Sequence, residues 1–566
     1  FPYTTLFRSS SQTNHYFCSK PWITINGKIN IKSQIISCIK IIMIIIQKVI
    51  LHNFKRFQHL EVDLDPTMNI FIGDNESGKS TILQAIDLVA RGSRTRIENL
   101  GIDRLFNVET IKSFMTNINM ENLPEMFVEL YFNPVLDQGL EGGNNSKRVH
   151  NACGIKMICR ANQAPAYSRE IHRILTQPNA VFPLEYYTVE FYTFSGDPYN
   201  GYNKKLNTIM IDNSQIGSPY AMREYVHDIY YGSLNEAARV STKHAYHDSK
   251  NQFEQTVLAQ YSAAIAPYTF AVKESSDDNI ETDITLTHNN IPIENKGTGL
   301  QCFIKTEMSL KRAINDIDSV LIEEPETHLS YMNMLKLIDM IKETENRQLF
   351  ISTHSDLICT RLNLQKCILF NSTSQTFAQL SALTTETAEF FMKAPDNNML
   401  QFVLSKKVIL VEGDAEFILM EALYRNTLQK EMTGSGIGVI AVDGKCFKRY
   451  LEIARILHIK VAVITDNDHD YVNNITDNYS DYTQDQFVNI RIYSDTNNEH
   501  YTFEVCIYAE NQEWLDTLIR PRLRTNTVLG YMTANKAEVA YELLSTKANS
   551  IIVPQYIQDA ITWIDA

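Results

Sequence analysis

Residues 73–81 read Gly-Asp-Asn-Glu-Ser-Gly-Lys-Ser-Thr, a loop with glycines near both ends that finishes in a lysine and two hydroxyl side chains. The glycines let the backbone turn tightly, so that successive N–H groups can converge on phosphate oxygens. The lysine can reach the β and γ phosphates of a nucleotide, and the next serine can offer its hydroxyl to Mg²⁺. We therefore expect a nucleoside triphosphate site formed by Gly73, Asn75, Gly78, Lys79, Ser80 and Thr81.

A second pattern is the short aliphatic run at residues 319–322, which ends in Glu323 and Glu324. Carboxylates that follow a buried parallel strand lie at the carboxyl edge of the sheet, beside the metal and the attacking water of such a site. Glu323 is predicted to assist Mg²⁺ through water, and Glu324 to polarise the hydrolytic water. A strand that simply ends in solvated acids is the alternative interpretation.

Two further segments suit the same chemistry. Residues 295–301 (NKGTGLQ) form a glycine-bearing loop that opens a helix and can offer N–H groups to a phosphate. Residues 348–351 form a predicted strand that ends in Ser-Thr-His-Ser, where a histidine can sense a γ-phosphate. The nucleotide contacts predicted from these segments are Lys296, Gly297, Gly299 and Gln301, with His354 in a catalytic role.

Carboxylates also follow two strands in the carboxyl-terminal part of the chain. The predicted strand at 407–411 ends in Glu412, and the strand at 460–464 leads into Asp466 and Asp468. Strands that alternate with helices of about a dozen residues predict a parallel, doubly wound sheet, whose working groups sit beyond the carboxyl ends of the strands. Like charges collected there require a cation or protons to neutralise them.

The spacing of these acids favours a metal site. On an extended segment, the two side chains of an Asp-x-Asp sequence point the same way, so one face can hold Mg²⁺ or Mn²⁺ through hard oxygen ligands. A metal so held can activate water and stabilise the transition state of phosphodiester cleavage. Solvated strand ends are again the alternative, although Glu-Gly and Asp-x-Asp together are a rarer combination.

The order of the predicted strands and helices divides the chain into three segments. We expect a non-native leader at 1–42, an ATPase domain at 43–395 and a nuclease domain at 396–566, with a linker around 384–398. The interval between Lys79 and Glu324 is longer than a compact head needs, so we expect an insert at about 137–283. It lacks the long heptad pattern of coiled-coil arms, which favours a compact, mostly helical dimerisation insert.

Composition narrows the class of protein. The 566 residues carry a formal net charge of −14, so any DNA contact must be local. The nine cysteines include no CxxC pair, which argues against a disulfide framework or a zinc ribbon and favours a reducing cytoplasm. The apolar run at 35–51 is interrupted by lysines and a glutamine, so we expect no membrane span, which needs roughly 20 apolar residues.

The amino terminus resembles a translated cloning sequence. The chain begins with Phe1, and residues 1–9 (FPYTTLFRS) are similar to the translation of a sequencing-library adapter. Met43 precedes a plausible strand and is the predicted natural start. A transit peptide is the alternative, although residues 1–42 contain a single arginine and no amphipathic period.

In this order, the P-loop, the KGTGxQ loop, the IEEPETHL segment and the STHS segment resemble the ABC-type ATPase heads of the RecF, SMC and OLD (overcoming lysogenization defect) group. The resemblance implies an α/β fold with a RecF-like P-loop head. It also implies that the KGTGxQ loop at residues 295–301, the signature loop, of one subunit closes on ATP held by another subunit. A homodimer or homotetramer is therefore expected.

Glu412-Gly413 followed by Asp466-x-Asp468 resembles a Toprim α/β domain over roughly 406–566. The resemblance implies that Glu412 is catalytic and that Lys536 neutralises charge in the transition state. It implies metal ligation in this domain by Glu412, Glu416, Asp466, Asp468 and Glu504, whereas Ser80 is the metal ligand predicted from the loop at residues 73–81.

One position departs from the family pattern. The Phe-Glu motif of the family often continues into an aspartate two residues on, where this chain has Cys506, a poor ligand for hard cations. A second metal site is therefore in question. The arginines at 520–524 could line a DNA path, with a solvated basic turn as the alternative.

Together the two resemblances point to an ATP-dependent, Mg²⁺- or Mn²⁺-dependent DNA endonuclease of the OLD family that acts on double-stranded DNA. Length and organisation are most similar to the nuclease subunits of Gabija phage-defence systems, which implies a helicase partner of the UvrD type. The alternative is a RecF- or SMC-like DNA clamp whose Toprim fold does not cleave; Cys506 favours it, and the retained acids oppose it. A topoisomerase or primase lacks a supporting motif.

Overall fold

The computed structural model describes residues 44–134, 139–212, 223, 225–227, 229–230, 233–262, 265, 267–272, 280–311, 317–344, 347–370, 377–394, 398–442, 444, 446–482, 486–518 and 527–566. The predicted leader and the arginines at 520–524 lie outside these residues.

Strands are labelled in chain order. They are β1 (Ile46–Phe54), β2 (Phe57–Asp63), β3 (Met68–Gly73), β4 (Met126–Phe132), β5 (Cys153–Ala161), β6 (Tyr187–Thr193), β7 (Thr208–Asp212), β8 (Thr287–His288), β9 (Ile291–Pro292), β10 (Ser319–Glu323), β11 (Gln348–Ser352), β12 (Cys367–Phe370), β13 (Phe377–Gln379), β14 (Lys407–Val411), β15 (Ile437–Ala441), β16 (Lys460–Ile464) and β17 (Ile490–Tyr493).

Helices are named by their bounds. The α-helices are Lys79–Arg91, Arg94–Leu100, Ile102–Leu105, Val108–Thr116, Pro165–Leu175, Glu236–Phe253, Ala259–Ser262, Ile280–Asp283, Thr298–Lys311, Tyr331–Lys342, Asp356–Leu362, Thr385–Lys393, Met399–Leu404, Asp414–Leu428, Phe447–Leu457, Phe503–Leu518, Val528–Ala534, Lys536–Lys547 and Gln555–Asp565. Short π-helical segments are Glu254–Leu258 and Val472–Asp477.

The ATPase half contains two large sheets. One has the order β13-β12-β3-β11-β10-β7, in which all neighbours from β12 to β7 are parallel. The other has the order β2-β1-β4-β5-β6 and is antiparallel. The buried side chain of Gln348 joins the sheets, because its amide donates to the carbonyl oxygens of Ile46 and Asp65 and accepts from the Ile46 N–H.

The predicted insert at 137–283 has the wrong boundaries. β5 and β6 complete the antiparallel sheet, and β7 pairs with β10 in the parallel sheet, so the head continues through Asp212. β6 buries every second side chain against the core, which is why the aromatic residues of this region belong to the head. Beyond Asp212, the described helix Glu236–Phe253 has no buried residue. A dimerisation role for this part stays a prediction.

The carboxyl-terminal half is built on a parallel sheet with the order β15-β14-β16-β17. Helices Asp414–Leu428, Lys536–Lys547 and Gln555–Asp565 supply apolar side chains that pack against the strands in one buried cluster. The helix Phe447–Leu457 contributes to a second cluster, shared with the ATPase half. A largely parallel sheet in the ATPase half and a parallel sheet in the carboxyl-terminal half, both with flanking helices, confirm the predicted α/β class.

Residues 384–394 of the segment predicted as a linker form a packed junction instead. The helix Thr385–Lys393 buries Phe391, whose ring meets Tyr450 edge-on at 5.0 Å between centroids. Phe402 packs on the same tyrosine at 5.1 Å. The capping side chain of Thr384 starts the helix, which is why this polar stretch is helical.

Of the helices in the described ranges, none combines the length and the apolar character that a bilayer-spanning segment requires.

Candidate nucleotide and metal sites

The loop between β3 and the helix Lys79–Arg91 is shaped by its two glycines. Gly73 has φ +152° and Gly78 has φ +109°. A Cβ atom added at Gly78 would lie 2.3 Å from the ring of Phe57, so the start of β2 packs directly on the loop. Only glycine allows both this backbone conformation and this close approach.

Lys79 is buried at the start of its helix. Its Nζ donates to the carbonyl oxygens of Gly73 at 2.8 Å and Asp74 at 2.9 Å, so the ammonium group holds the loop in its folded shape. Burial lowers the pKa of Lys79 to about 8, although Glu324 and Asp74 raise it. The lysine therefore remains largely charged at neutral pH, as phosphate binding requires.

The predicted acids converge on this lysine. Glu323 ends β10 and is buried, which raises its pKa, while a hydrogen bond from Ser80 lowers it. Glu324 follows with φ +46°, and its Oε2 accepts from the Thr327 hydroxyl at 3.3 Å. The Ser80 hydroxyl beside the Glu323 carboxylate is a hard oxygen set that fits Mg²⁺.

His354 lies directly after β11, where the sequence predicted it. Its Nε2 is 3.7 Å from Glu324 Oε1. Burial and the nearby charge of Lys79 lower the pKa of His354, which leaves the imidazole neutral at neutral pH. The structure thus brings His354, Glu324 and Lys79 together.

The KGTGxQ loop has a more structural role than predicted. Gln301 is buried and its amide donates to the carbonyl oxygens of Glu294 at 3.1 Å and Lys296 at 2.7 Å, so it fixes the shape of its own loop. A Cβ atom added at Gly299 would lie 2.2 Å from the carbonyl oxygen of His328, whereas Gly297 faces open space. Contact with a nucleotide on another subunit stays a prediction.

Lys55, Asp212 and Glu326 belong to this site but were missed in the sequence. Lys55, in the β1–β2 turn, and Asp212, the register partner of Glu323, both act on the pKa of Glu323. Glu326 accepts hydrogen bonds from the loop that carries His354. A lysine at the turn of an amino-terminal hairpin is a weak sequence signal, and the other two depend on strand pairing.

In the carboxyl-terminal half, Glu412 joins the ends of β14 and β16. Its Oε1 accepts from the backbone N–H of Asp466 at 2.9 Å and from the hydroxyl of Thr465. Two donors on one oxygen fix the orientation of this carboxylate. Thr465 was not predicted as a site residue.

Asp466 and Glu416 are buried beside Glu412. Burial, together with the negative charges of Glu412, Glu416 and Glu504, raises the pKa of Asp466 to about 8, while Lys536 lowers it. Burial likewise raises the pKa of Glu416 to about 7, with further contributions from Glu504 and Glu412. These four carboxyl groups therefore share one electrostatic environment.

Glu504 completes the cluster from the first turn of the helix Phe503–Leu518. It is 3% exposed, and Lys536 Nζ lies 3.0 Å from its Oε2. Its Oε1 is buried and accepts no hydrogen bond from the described residues. A buried carboxylate oxygen without a donor, among three other acids, fits a divalent cation. Within the described ranges, however, no three such side chains are already gathered at ligating geometry.

The conformation of Asp468 contradicts the prediction that Asp466 and Asp468 lie on one face of an extended segment. It is exposed, with φ +47°, so its side chain does not follow Asp466 along one face of a strand. The reason is Asn467, whose amide donates to the backbone oxygens of Asp495 and Asn497 and pins the chain into a turn. A metal-ligating role for Asp468 stays a prediction.

Cys506 is a buried thiol. Its Sγ lies 3.4 Å from the carbonyl oxygen of His500 and 3.9 Å from Asp495 Oδ2. Burial raises the pKa of Cys506 to about 12, so the thiol is neutral and is a poor ligand for Mg²⁺.

Comparisons with known proteins match both halves. Residues 403–468 match the family described as "Overcoming lysogenization defect protein-like, TOPRIM domain". Residues 43–175 and 202–359 match the AAA ATPase domain family.

The curated relatives cover parts of the chain. The Old nuclease of Escherichia phage P2 is 26% identical over 183 residues, which are 30% of this chain and 30% of the relative. The DNA replication and repair protein RecF of Clostridium kluyveri is 26% identical over 158 residues, 27% of this chain and 41% of the relative. The chain thus spans less than half the length of these relatives.

Solved structures match at low similarity. An SMC head bound to the C-winged helix domain of ScpA has a TM-score of 0.33 and 15% identity, covering 60% of this chain and 100% of that one. The C-terminal region of the Xanthomonas campestris OLD protein has a TM-score of 0.23 and 23% identity, covering 28% of this chain and 94% of that one.

The two family matches confirm the predicted order of a P-loop ATPase head followed by a Toprim α/β domain. The ATPase match alone extends over just over half of the residues. The chain therefore belongs to the AAA ATPase domain family and carries an OLD-like Toprim domain at its carboxyl-terminal side.

Proposed function

We propose that this protein is an ATP-hydrolysing, metal-dependent endonuclease of the OLD family that nicks or cleaves double-stranded DNA. The observation that carries the proposal is the carboxylate cluster of Glu412, Glu416, Asp466 and Glu504 at the carboxyl ends of β14 and β16. Lys536 lies against the cluster, with its Nζ 3.0 Å from Glu504 Oε2.

The cluster has the charge that a cation site needs. Among the described residues, four carboxyl groups surround the ammonium group of Lys536, and burial together with this excess of negative charge raises the pKa values of Asp466 and Glu416. When bound there, Mg²⁺ or Mn²⁺ would supply Lewis acidity and an activated water for phosphodiester hydrolysis. Lys536, half exposed beside Glu504, is available to a phosphate oxygen of the substrate.

In the ATPase half, Lys79, Ser80 and Glu323 would hold the triphosphate and its Mg²⁺. Glu324 is placed to accept the proton of the attacking water, with its carboxylate oriented by Thr327. His354 is neutral and faces Glu324, so it can donate to or accept from a phosphate-bound group there.

The proposal extends to a role in anti-phage defence of the Gabija type with a UvrD-like helicase partner, which the resemblance in length and domain order supports. It also extends to a homodimer or homotetramer, because the loop at residues 295–300 is largely exposed and can close on the nucleotide of another subunit. The Old nuclease match supports the nuclease family.

A second candidate is an ATP-dependent DNA clamp of the RecF kind with a Toprim fold that does not cleave. The neutral thiol of Cys506 and the exposed turn at Asp468 favour it, because both weaken a second metal site. The similarity to RecF of Clostridium kluyveri supports the same class.

The test is a nicking assay on supercoiled plasmid with Mg²⁺ or Mn²⁺, comparing the wild type with Asp466→Ala, Lys79→Ala and the exposed control Asp481→Ala. We expect the wild type and Asp481→Ala to cut, and Asp466→Ala to lose cutting by at least about 100-fold while it still hydrolyses ATP. Lys79→Ala is expected to lose ATP hydrolysis.

Intact plasmid with the wild type in both metals and with several DNA forms would contradict the nuclease proposal. If ATP then retains the protein on closed circular DNA, the clamp is the better assignment. Equal cutting by Asp466→Ala would place the active site elsewhere.

A further inference from the structure

The turn at residues 324–329 touches several parts of the nucleotide site. The N–H of Glu324 donates to the carbonyl oxygen of Ser352 at 2.9 Å, and the N–H of Leu329 donates to that of Glu326 at 3.1 Å. The thiol of Cys302, in the helix Thr298–Lys311 that follows the signature loop, lies 3.4 Å from the carbonyl oxygen of Thr327. One short turn therefore contacts the end of β11 and the helix Thr298–Lys311.

Glu326 makes the side-chain link within this turn. Its Oε1 accepts from the Thr353 hydroxyl at 2.8 Å and from the backbone N–H of His354 at 2.6 Å. Its Oε2 is buried without a hydrogen-bond partner among the described residues. Burial raises the pKa of Glu326, whereas the bonds from His354 and Thr353 lower it.

These bonds determine where His354 lies relative to Glu324. The only side-chain oxygen that the structure shows accepting from the His354 N–H belongs to a residue two positions from Glu324. Glu326 thus ties the loop that carries His354 to the turn that carries Glu324, and the side chains of these two residues lie 3.7 Å apart, from Nε2 to Oε1.

We propose that Glu326 is a positioning residue for ATP hydrolysis, whose carboxylate fixes the Thr353–His354 backbone so that His354 faces Glu324 and the nucleotide phosphates. This inference rests on the ATP hydrolysis proposed above. Glu326 acts through the loop, because the hydrogen bonds that its carboxylate accepts come from Thr353 and His354.

A purely structural role makes different predictions. If Glu326 only stabilised the fold, its removal would lower the melting temperature and affect the kinetic constants together. If it positions His354, truncation lowers kcat with little change in KM, because nucleotide binding is carried by the P-loop. A glutamine keeps the acceptor oxygen and should therefore restore the rate.

The experiment measures steady-state ATP hydrolysis by the full chain for the wild type, Glu326→Ala, Glu326→Gln and the exposed control Glu343→Ala. We expect Glu326→Ala to lower kcat by about 10- to 100-fold with KM within about twofold of the wild type. Glu326→Gln is expected to stay within about threefold of the wild type, and Glu343→Ala to be unchanged.

Two further measurements keep the outcome decisive if Glu326→Ala folds poorly. Thr353→Val removes one of the two donors and should lower kcat by about 3- to 10-fold. Hydrogen exchange of peptides that include residues 352–355 should be faster in Glu326→Ala than in Glu326→Gln.

Hydrolysis by the wild type together with unchanged kcat in Glu326→Ala and Thr353→Val would overturn this inference alone. A glutamine variant as slow as the alanine variant would also overturn it. Absence of hydrolysis by the wild type would instead overturn the ATPase part of the proposed function and this inference with it.

Discussion

Asp466 lies among three other carboxyl groups, and its pKa is raised to about 8. Unfolded aspartate titrates near 4, so the folded state takes up protons between about pH 4 and pH 8 that the unfolded state has released. The free energy of unfolding of the metal-free protein should therefore fall as the pH rises through this window. Glu416, with a pKa of about 7, contributes in the same direction.

The variant Asp466→Asn tests this predicted dependence of stability on pH. Because the amide carries no charge, the metal-free variant should be more stable than the wild type at pH 8 by on the order of 1–3 kcal/mol, and the gain should shrink at pH 5. Mn²⁺ should raise the melting temperature of the wild type but not of the variant. Thermal unfolding with and without Mn²⁺ checks both, with Asp481→Asn as the exposed control.

Equal melting temperatures for Asp466→Asn and the wild type at pH 8, with the same response to Mn²⁺, would mean that Asp466 is neither strained in the metal-free state nor a ligand.

Thr465→Val removes one of the two donors to Glu412 Oε1 and keeps the size of the side chain. Glu412 then retains only the Asp466 N–H and loses part of its fixed orientation. We expect Mn²⁺ binding to weaken by roughly 10-fold, in the range found for groups that orient metal ligands. Isothermal titration calorimetry measures the affinity, and Thr465→Ser should retain it. Unchanged affinity in the valine variant would remove Thr465 from the site.

At the scale of elements, the signature helix Thr298–Lys311 depends on a glycine. A Cβ atom at Gly299 would lie 2.2 Å from the His328 carbonyl oxygen, so the helix start or the turn at 324–329 must move. Gly299→Ala should therefore destabilise the protein by on the order of 1–3 kcal/mol. Gly297→Ala meets no atom within 4 Å and is the matched control for stability. Thermal unfolding measures the stability of both variants. Equal melting temperatures for Gly299→Ala and Gly297→Ala would show that the contact at Gly299 is not tight.

Strand pairing explains why the predicted bounds of the insert are wrong. The prediction assigns β5, β6 and β7 to a separate segment, because their sequences do not state which strands they pair with. Pairing joins residues far apart in the chain, such as Glu323 with Asp212, and local patterns carry no information about it.

At the scale of the whole molecule, the two halves meet through Glu452. Its carboxylate accepts from the Thr384 N–H at 2.6 Å and the Thr384 hydroxyl at 2.9 Å, and also from the hydroxyl of Thr387. Thr387 is buried and Thr384 is exposed, so Glu452→Ala leaves one buried hydroxyl without this acceptor, which should cost on the order of 1–3 kcal/mol.

We expect calorimetry of Glu452→Ala to show the ATPase and Toprim halves unfolding at more widely separated temperatures than in the wild type. Glu386→Ala is the control, because that side chain is 84% exposed and its ion pair with Arg449 contributes little. A Glu452→Ala thermogram that superimposes on the wild type would mean that the junction does not connect the halves energetically.

The sequence by itself determined the P-loop, the acids after β10 and β14, the His354 position and the α/β class. Each of these is encoded locally: glycines fix a loop, and an aliphatic run followed by acids marks the carboxyl end of a strand. Since parallel strands end at a common edge, Glu412 and Asp466 could be expected to meet, and the structure shows them hydrogen-bonded.

Only the tertiary structure decided the rest. Thr465 and Glu326 matter because of donors and acceptors that strand pairing brings near, and neither residue stands out by type. Asp468 departs from an extended strand because Asn467 bonds to a loop some thirty residues away. Burial, which moves the pKa values of Asp466, Glu416 and Lys79, exists only once the chain is packed.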